Sequence, residues 1–128
     1  MDLMLSSDRI RQTAEGIIHP EIFRLMDERL QGLSSAGYDM VFVEVPLLFE
    51  AGWEDFFDFI VTVLAPKEVC IERFVKRTNI EPQKALNWFK QQMPPEEKIK
   101  RADYIIFNDM DLDNLKNQVI KLIETLIT

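Results

Sequence analysis

Two arginines, Arg73 and Arg77, have the type and spacing to bind a phosphate. They are four residues apart, so a helix places both on one face, and each guanidinium supplies charge together with paired N–H donors. The alternative interpretation is a solvent-exposed basic face whose charges pair with Glu72 or Glu81. On these residues alone, neither interpretation prevails.

Two carboxylates, Glu44 and Glu50, flank Pro46 at the end of the apolar run 40–45. The run is rich in β-branched and aromatic residues, which is typical of a buried strand. Pro46 ends it because proline has no backbone N–H donor. Ligands of open α/β sheets bind at the carboxyl ends of strands, so both carboxylates are candidates to position a substrate hydroxyl or a magnesium-bound water. The alternative is that Glu50 is an ordinary polar loop residue.

His19 is the only histidine in the sequence. Its imidazole titrates near neutral pH, which is the property required of a catalytic base. A lone histidine before a proline at a helix junction more often makes a structural hydrogen bond. The sequence therefore favours a structural hydrogen bond over a role as the base.

Apolar β-prone runs alternate with helical patterns along the chain. This order predicts an α/β fold with a parallel sheet, in a three-layer α/β/α arrangement with right-handed crossovers. Strands are predicted near 40–45, 59–64 and 104–108. Helices are predicted over 7–32 with an interruption at His19-Pro20, and over 67–76, 82–92, 96–101 and 112–127. Lys98 and Asp103 are predicted to pair at the entrance to the third strand.

Composition narrows the class of protein. A formal net charge of −7 argues against a nucleic-acid partner, because neutralising phosphates needs a basic surface. A single cysteine, Cys70, excludes an intrachain disulfide. We see neither a signal peptide nor an apolar run of the roughly 20 residues that a membrane helix needs. We therefore predict a cytoplasmic protein with no membrane and no nucleic-acid partner.

Several short motifs occur in a fixed order along nearly the whole chain. They are Ile18-His19-Pro20, Val45-Pro46-Leu47-Leu48-Phe49-Glu50, Glu72-Arg73 with Arg77, Ala85, Gln92-Met93-Pro94, Glu97-Lys98, Ala102-Asp103-Tyr104 and Asn108. In this order they resemble the dephospho-CoA kinase family, the P-loop enzymes of the last step of coenzyme A synthesis. Each motif is weak alone, but their order and spacing make the combination specific.

The resemblance implies a single, incomplete kinase-like domain over residues 1–128 with a partial P-loop kinase fold. Its parts would be a helical acceptor-side region, 1–38, and a lid-like helical segment, 77–95. The complete enzyme would use ATP and Mg²⁺ to phosphorylate the 3′-hydroxyl of dephospho-CoA; no metal site is predicted in the chain itself. The implied roles are catalytic for Arg77, nucleotide-binding for Arg73 and Asn108, and substrate-binding for His19, Pro46, Leu47, Leu48, Phe49 and Glu50.

The sequence departs from the family in ways that affect activity. It contains no Gly-x-x-x-x-Gly-Lys-Ser/Thr phosphate loop, and the family's proposed catalytic aspartate falls in the same absent region. Trp88 stands where the family often has a second lid arginine, Met110 where it commonly has glycine, and Glu44 where it usually has aspartate. We therefore predict that this chain alone is inactive. The alternative is a non-catalytic, degenerate paralogue that acts as a binding or regulatory module.

By the same resemblance, the family's first strand would lie between the strands near 40–45 and 59–64. Without it, two apolar strands face a gap, and each buried unpaired backbone group costs about 1–3 kcal/mol. We hypothesise three remedies. The two strands close up, a second copy supplies a strand through self-association, or the N-terminal piece is a separate or lost part of the polypeptide, so that an N-terminal fragment could complement the chain.

Overall fold

The computed structural model describes residues 8–127. It divides into two compact units with a boundary between Val45 and Pro46, and each unit is described separately. Their elements in chain order are α1 Asp8–Ser35, a 3₁₀ turn Glu54–Phe56, β1 Val61–Leu64, α2 Lys67–Thr78, α3 Pro82–Lys90, α4 Pro95–Arg101, β2 Tyr104–Phe107 and α5 Leu112–Ile127.

The helix α1 runs without interruption through Pro20. The predicted break at His19-Pro20 is therefore wrong. An internal proline removes one helical N–H donor and crowds the preceding turn, but the flanking turns are helical on both sides and carry the chain through it. The helix ends at Ser35, beyond the predicted end at residue 32. Gly37 adopts a φ of +98°, and the amide of Tyr38 donates to the carbonyl of Leu33 at 3.2 Å. These are the features of a glycine-terminated Schellman cap.

The exposed face of α1 carries an ion-pair network in which Arg24 lies between Glu21 and Glu28. The side-chain hydrogen bond from Arg24 lowers the pKa of the Glu21 carboxyl, and the same contact raises the pKa of Arg24. All three side chains are more than half exposed, so the network stabilises the helix only weakly.

The strand predicted at 40–45 is not formed. The segment has no secondary structure, and Val41 and Phe42 are 39% and 62% exposed. A strand is held by a ladder of hydrogen bonds to a neighbour, and β-branched composition does not replace that ladder. This prediction is wrong because residues 40–45 have no such ladder.

The other two predicted strands are confirmed. β1 and β2 pair in parallel, with Val61 opposite Tyr104 and Leu64 opposite Phe107. β1 begins later than predicted because the amide of Ile60 donates to the Oδ2 atom of Asp103 at 2.7 Å instead of joining the ladder. Within the described residues the sheet has two strands.

Helices surround this sheet as the alternating pattern predicted, and α2, α3, α4 and α5 fall close to their predicted bounds. α5 packs on β2, α4 lies against β1, and α2 packs on α3. The buried apolar residues of the described chain all belong to the second unit. They are Phe49, Ile60, Ala85, Ile106 and Leu122.

Candidate functional site

Arg73 and Asn108, which were predicted to bind the nucleotide, lie together in the structure. The Nη1 atom of Arg73 donates to the backbone carbonyl of Asn108 at 2.8 Å. Asn108 follows β2, and its amide donates to the carbonyl of Leu64, the last residue of β1, at 2.7 Å. The hydrogen bond therefore holds an arginine of α2 at the carboxyl ends of two parallel strands, where α/β sheets bind ligands.

Arg77 lies one helical turn beyond Arg73, and its guanidinium carbon is 5.6 Å from the centre of the Phe74 ring. Phe74 in turn meets Trp88 of α3 edge to face, with the ring centres 5.0 Å apart. A cation–π contact places a cation over the face of an aromatic ring, within about 6 Å of the ring centre. The aromatic pair therefore places the predicted phosphate-binding arginine at the junction of α2 and α3.

The predicted acceptor loop is one closed helical turn. The amide of Ala51 donates to the carbonyl of Leu47 at 2.9 Å, and the amide of Trp53 donates to that of Leu48 at 3.1 Å. Gly52 closes the turn with a φ of +74°, a conformation that glycine adopts without strain. Phe49 is 7% exposed and anchors the turn to the core, whereas Leu47 is 44% exposed and accessible to a ligand.

The carboxylate of Glu50 is engaged within the second unit. Its Oε2 atom accepts a hydrogen bond from the amide of Met93 at 3.3 Å and lies 3.9 Å from the Nζ atom of Lys98. The predicted pairing of Lys98 with Asp103 is therefore wrong, because Lys98 meets Glu50 and Asp103 accepts the amide of Ile60. No hydrogen bond or ion pair of the described residues joins the Glu50 contacts directly to the Arg73–Asn108 contact.

His19 lies in the first unit, within α1, and is half-buried. Pro20 follows it inside the helix. The position is a helix interior, so the predicted helix junction around this histidine does not exist. Its predicted role toward the substrate stays a prediction.

A profile of the dephospho-CoA kinase family matches residues 1–114. Among curated relatives, the dephospho-CoA kinase of Syntrophotalea carbinolica is 35% identical over 124 residues, which are 97% of this chain and 59% of that protein. The chain belongs to the dephospho-CoA kinase family. A second member, from Thermus thermophilus, is 36% identical over 114 residues, 89% of this chain and 55% of its own length.

Solved structures agree with this assignment. A Thermus thermophilus protein superposes with a TM-score of 0.82 at 33% identity, covering 99% of this chain and 64% of its own. Dephospho-CoA kinase from Campylobacter jejuni gives a TM-score of 0.64 at 27% identity, with coverage of 98% and 62%. The predicted partial P-loop kinase fold is confirmed. The chain spans 59% of the length of its Syntrophotalea relative.

Within residues 8–127, no group of three or more His, Cys, Asp or Glu side chains is arranged to hold a metal ion. None of the described helices is both long and apolar enough to cross a membrane. An open cavity of about 530 Å³ lies on the side of α2 away from Arg73 and Arg77, and none of the predicted site residues lines it.

Two contacts of this family member were missed by sequence reasoning. The backbone amide of Met93 carries no side-chain signal, so its bond to Glu50 was invisible in the sequence. Gln118 bonds both the amide and the carbonyl of Phe107, at 2.9 and 2.8 Å. A glutamine eleven residues after a strand, on the following helix, is a weak signal that only the fold makes specific.

Proposed function

We propose that this chain provides the acceptor-side and lid parts of a dephospho-CoA kinase, which transfers the γ-phosphate of ATP to the ribose 3′-hydroxyl of dephospho-CoA with Mg²⁺. Beside family membership, one observation carries the proposal: the 2.8 Å hydrogen bond from Arg73 to the carbonyl of Asn108. It fixes a cationic side chain at the strand ends, where a nucleotide is expected in this kind of sheet.

In this proposal Arg77 is the catalytic residue of the chain. Phosphoryl transfer develops charge on the transferring group, and a guanidinium stabilises that charge through bidentate N–H donors. The Arg77 guanidinium carbon lies over the Phe74 ring, 5.6 Å from its centre, in a cation–π contact within α2. Arg73 and Asn108 contact the nucleotide beside it, with Asn108 near adenine.

The acceptor, dephospho-CoA, is held by the turn that begins at Pro46, and a contact of His19 with the same substrate stays a prediction. Leu47 offers apolar surface to it, and Leu48 and Phe49 shape the turn from below because Leu48 is half-buried and Phe49 is buried. Glu50 follows Phe49 in the same turn, and its carboxylate contacts the Met93 amide and Lys98. The role of binding is to place the 3′-hydroxyl in line with the phosphate, since positioning and electrostatics dominate this chemistry.

The phosphate loop is proposed to lie outside these 128 residues, because no Gly-x-x-x-x-Gly-Lys-Ser/Thr sequence occurs in them. β1 is where the strand that accompanies this loop, or a strand of a second copy of the chain, would add: β2 is its only neighbour among the described residues. The cytoplasm, where ATP is abundant, is the proposed location.

Complementation tests this proposal. The chain is mixed with the part of the Syntrophotalea kinase that it does not match, and dephospho-CoA-dependent ADP formation is measured. We expect negligible turnover from either piece alone and measurable turnover from the mixture. Arg77→Ala should lower the turnover of the mixture at least tenfold, and Arg77→Lys should restore only part of it because lysine cannot bind bidentately. Robust turnover by the 128-residue chain alone would contradict the proposal.

A non-catalytic binding module is the second candidate, and the contact of Trp88 favours it. The family often has a cation at this position, but here the indole packs edge to face on Phe74 and supplies no charge for phosphate. Calorimetry with ATP and dephospho-CoA separates the candidates. Binding of dephospho-CoA alone, together with an inactive mixture, supports the module.

A further inference from the structure

Glu50 is the one residue of the predicted acceptor turn whose side chain reaches another segment through polar contacts in the described structure. The residue as a whole is exposed, because it lies in a surface turn, but its side chain keeps only 20% of its surface accessible. The Lys98 side chain above it is 17% accessible. The protein contacts of a carboxylate covered to this extent fix its orientation before any ligand binds.

The partner amide, that of Met93, occupies a particular place in the chain. Met93 lies between α3 and α4 and is followed by Pro94 and Pro95. Because prolines have no N–H, Met93 carries the last backbone donor before α4 begins to form its own bonds. The two proline rings also fix φ at consecutive residues, so the joint is stiff and one contact can orient it.

This joint is the end of the lid-like segment 77–95, and the acceptor turn starts at Pro46. A single oxygen, Oε2 of Glu50, meets both the Met93 amide at 3.3 Å and the Nζ atom of Lys98 at 3.9 Å. The acceptor turn and the end of the lid are therefore joined by one polar contact, the hydrogen bond from the Met93 amide to Glu50, which we call the tie. Any movement of the lid end away from the turn has to break the hydrogen bond to Met93.

We propose that Glu50 is a positioning residue, which holds the acceptor turn in register with the end of the lid and does not bind the substrate itself. The inference rests on the proposed function for its ligand, dephospho-CoA. It deepens that function by separating the roles within the turn: Leu47, which is exposed, faces the acceptor, and Glu50 fixes where Leu47 stands.

Two variants of the full chain separate geometry from charge. Glu50→Gln removes the charge but keeps an oxygen that can accept from Met93. Glu50→Asp keeps the charge and withdraws the oxygen by one methylene. Hydrogen exchange of the Met93 amide, followed by NMR, reports the tie directly, and calorimetry with dephospho-CoA reports the pocket. Lys98→Met is the matched control, since it removes the cation and leaves the hydrogen bond.

For a positioning role, Glu50→Asp should speed exchange at Met93 by roughly tenfold, the size expected for one lost hydrogen bond to a charged group. It should also weaken dephospho-CoA binding several-fold. Glu50→Gln and Lys98→Met should keep the Met93 amide protected and bind dephospho-CoA within about twofold of the unaltered chain.

Two results would overturn the inference. Unchanged Met93 exchange in Glu50→Asp would show that the tie does not exist in solution. Loss of binding in Glu50→Gln with Met93 still protected would show that the carboxylate charge contacts the substrate. If the unaltered chain binds no dephospho-CoA, the proposed function fails, but the exchange measurements still decide whether Glu50 orders the joint.

Discussion

The runs 40–45 and Val61–Leu64 have similar sequences and different backbones. Both are dominated by valine and other apolar residues, yet only Val61–Leu64 forms a strand, paired in parallel with Tyr104–Phe107. Exposure alone does not separate them, because Val63 in the strand is 58% exposed and Val43 in the unpaired run is 36% exposed. What differs is the hydrogen-bond partner of the backbone.

Composition identifies candidate strands, but only hydrogen bonding to a neighbouring backbone makes one of them a strand. β1 receives the amides of Tyr104 at Ile60 and of Asn108 at Leu64, at 3.1 and 2.7 Å. These bonds frame the ladder at both ends. The run 40–45 ends at the boundary between the two units, and no ladder frames it.

Proline substitution should give the largest difference in stability between the paired strand and the unpaired run. Ile60 and Leu64 accept bonds from the β2 side, so the alternation of a strand places Thr62 on that side as well. Thr62→Pro should remove a ladder bond and lower the free energy of unfolding by on the order of 3 kcal/mol. Val43→Pro should cost less than about 1 kcal/mol, because it removes no ladder bond. Urea unfolding followed by circular dichroism measures both.

Val63→Pro is the matched control within the same strand, since its N–H points away from β2. It should cost clearly less than Thr62→Pro in the monomeric chain. Equal losses from Val43→Pro and Thr62→Pro would mean that the run 40–45 is paired in solution. A large loss from Val63→Pro that grows with protein concentration would instead point to a second copy on the free edge of β1.

The second prediction concerns how β1 starts. The Oδ2 atom of Asp103 accepts the amide of Ile60, a residue that is only 8% exposed. Asp103→Ala should therefore cost about 1–3 kcal/mol, the penalty for a buried donor without a partner. Asp103→Asn keeps an oxygen acceptor and should cost less than half as much. Faster hydrogen exchange at Ile60 in the alanine variant alone would confirm the cause, whereas equal losses from both variants would show that the charge matters more than the bond.

Much of the fold could be predicted because helices and paired strands carry their signals locally. The helical spacing of apolar residues, together with Pro82 at a helix start, was enough to predict α2 to α5. The unpaired run 40–45 and the unbroken α1 could not be predicted in the same way. The first depends on a partner backbone, and the second on neighbouring turns that hold the helix through Pro20.

The contacts of the candidate site also differ in whether the sequence predicts them. The family resemblance implied a nucleotide-binding role for both Arg73 and Asn108, and the structure joins the two residues by a hydrogen bond. The contacts of Glu50 and Asp103 join residues 43 positions apart through backbone amides. Every residue except proline carries such an amide, so no residue type marks these contacts in the sequence.

The smallest expected effect concerns the outer edge of β2. Gln118 accepts from the amide of Phe107 at 2.9 Å and donates to its carbonyl at 2.8 Å, which are the bonds that a third strand would make. Because Phe107 is 48% exposed and water can replace a lost bond, Gln118→Ala should cost only about 1 kcal/mol. Gln118→Glu keeps the acceptor and should leave the Phe107 amide protected from exchange, while the alanine variant exposes it. If both variants leave the Phe107 amide equally protected, a group other than the Gln118 side chain bonds this edge of β2. A side-chain partner would then not be sufficient to make a run such as 40–45 a strand.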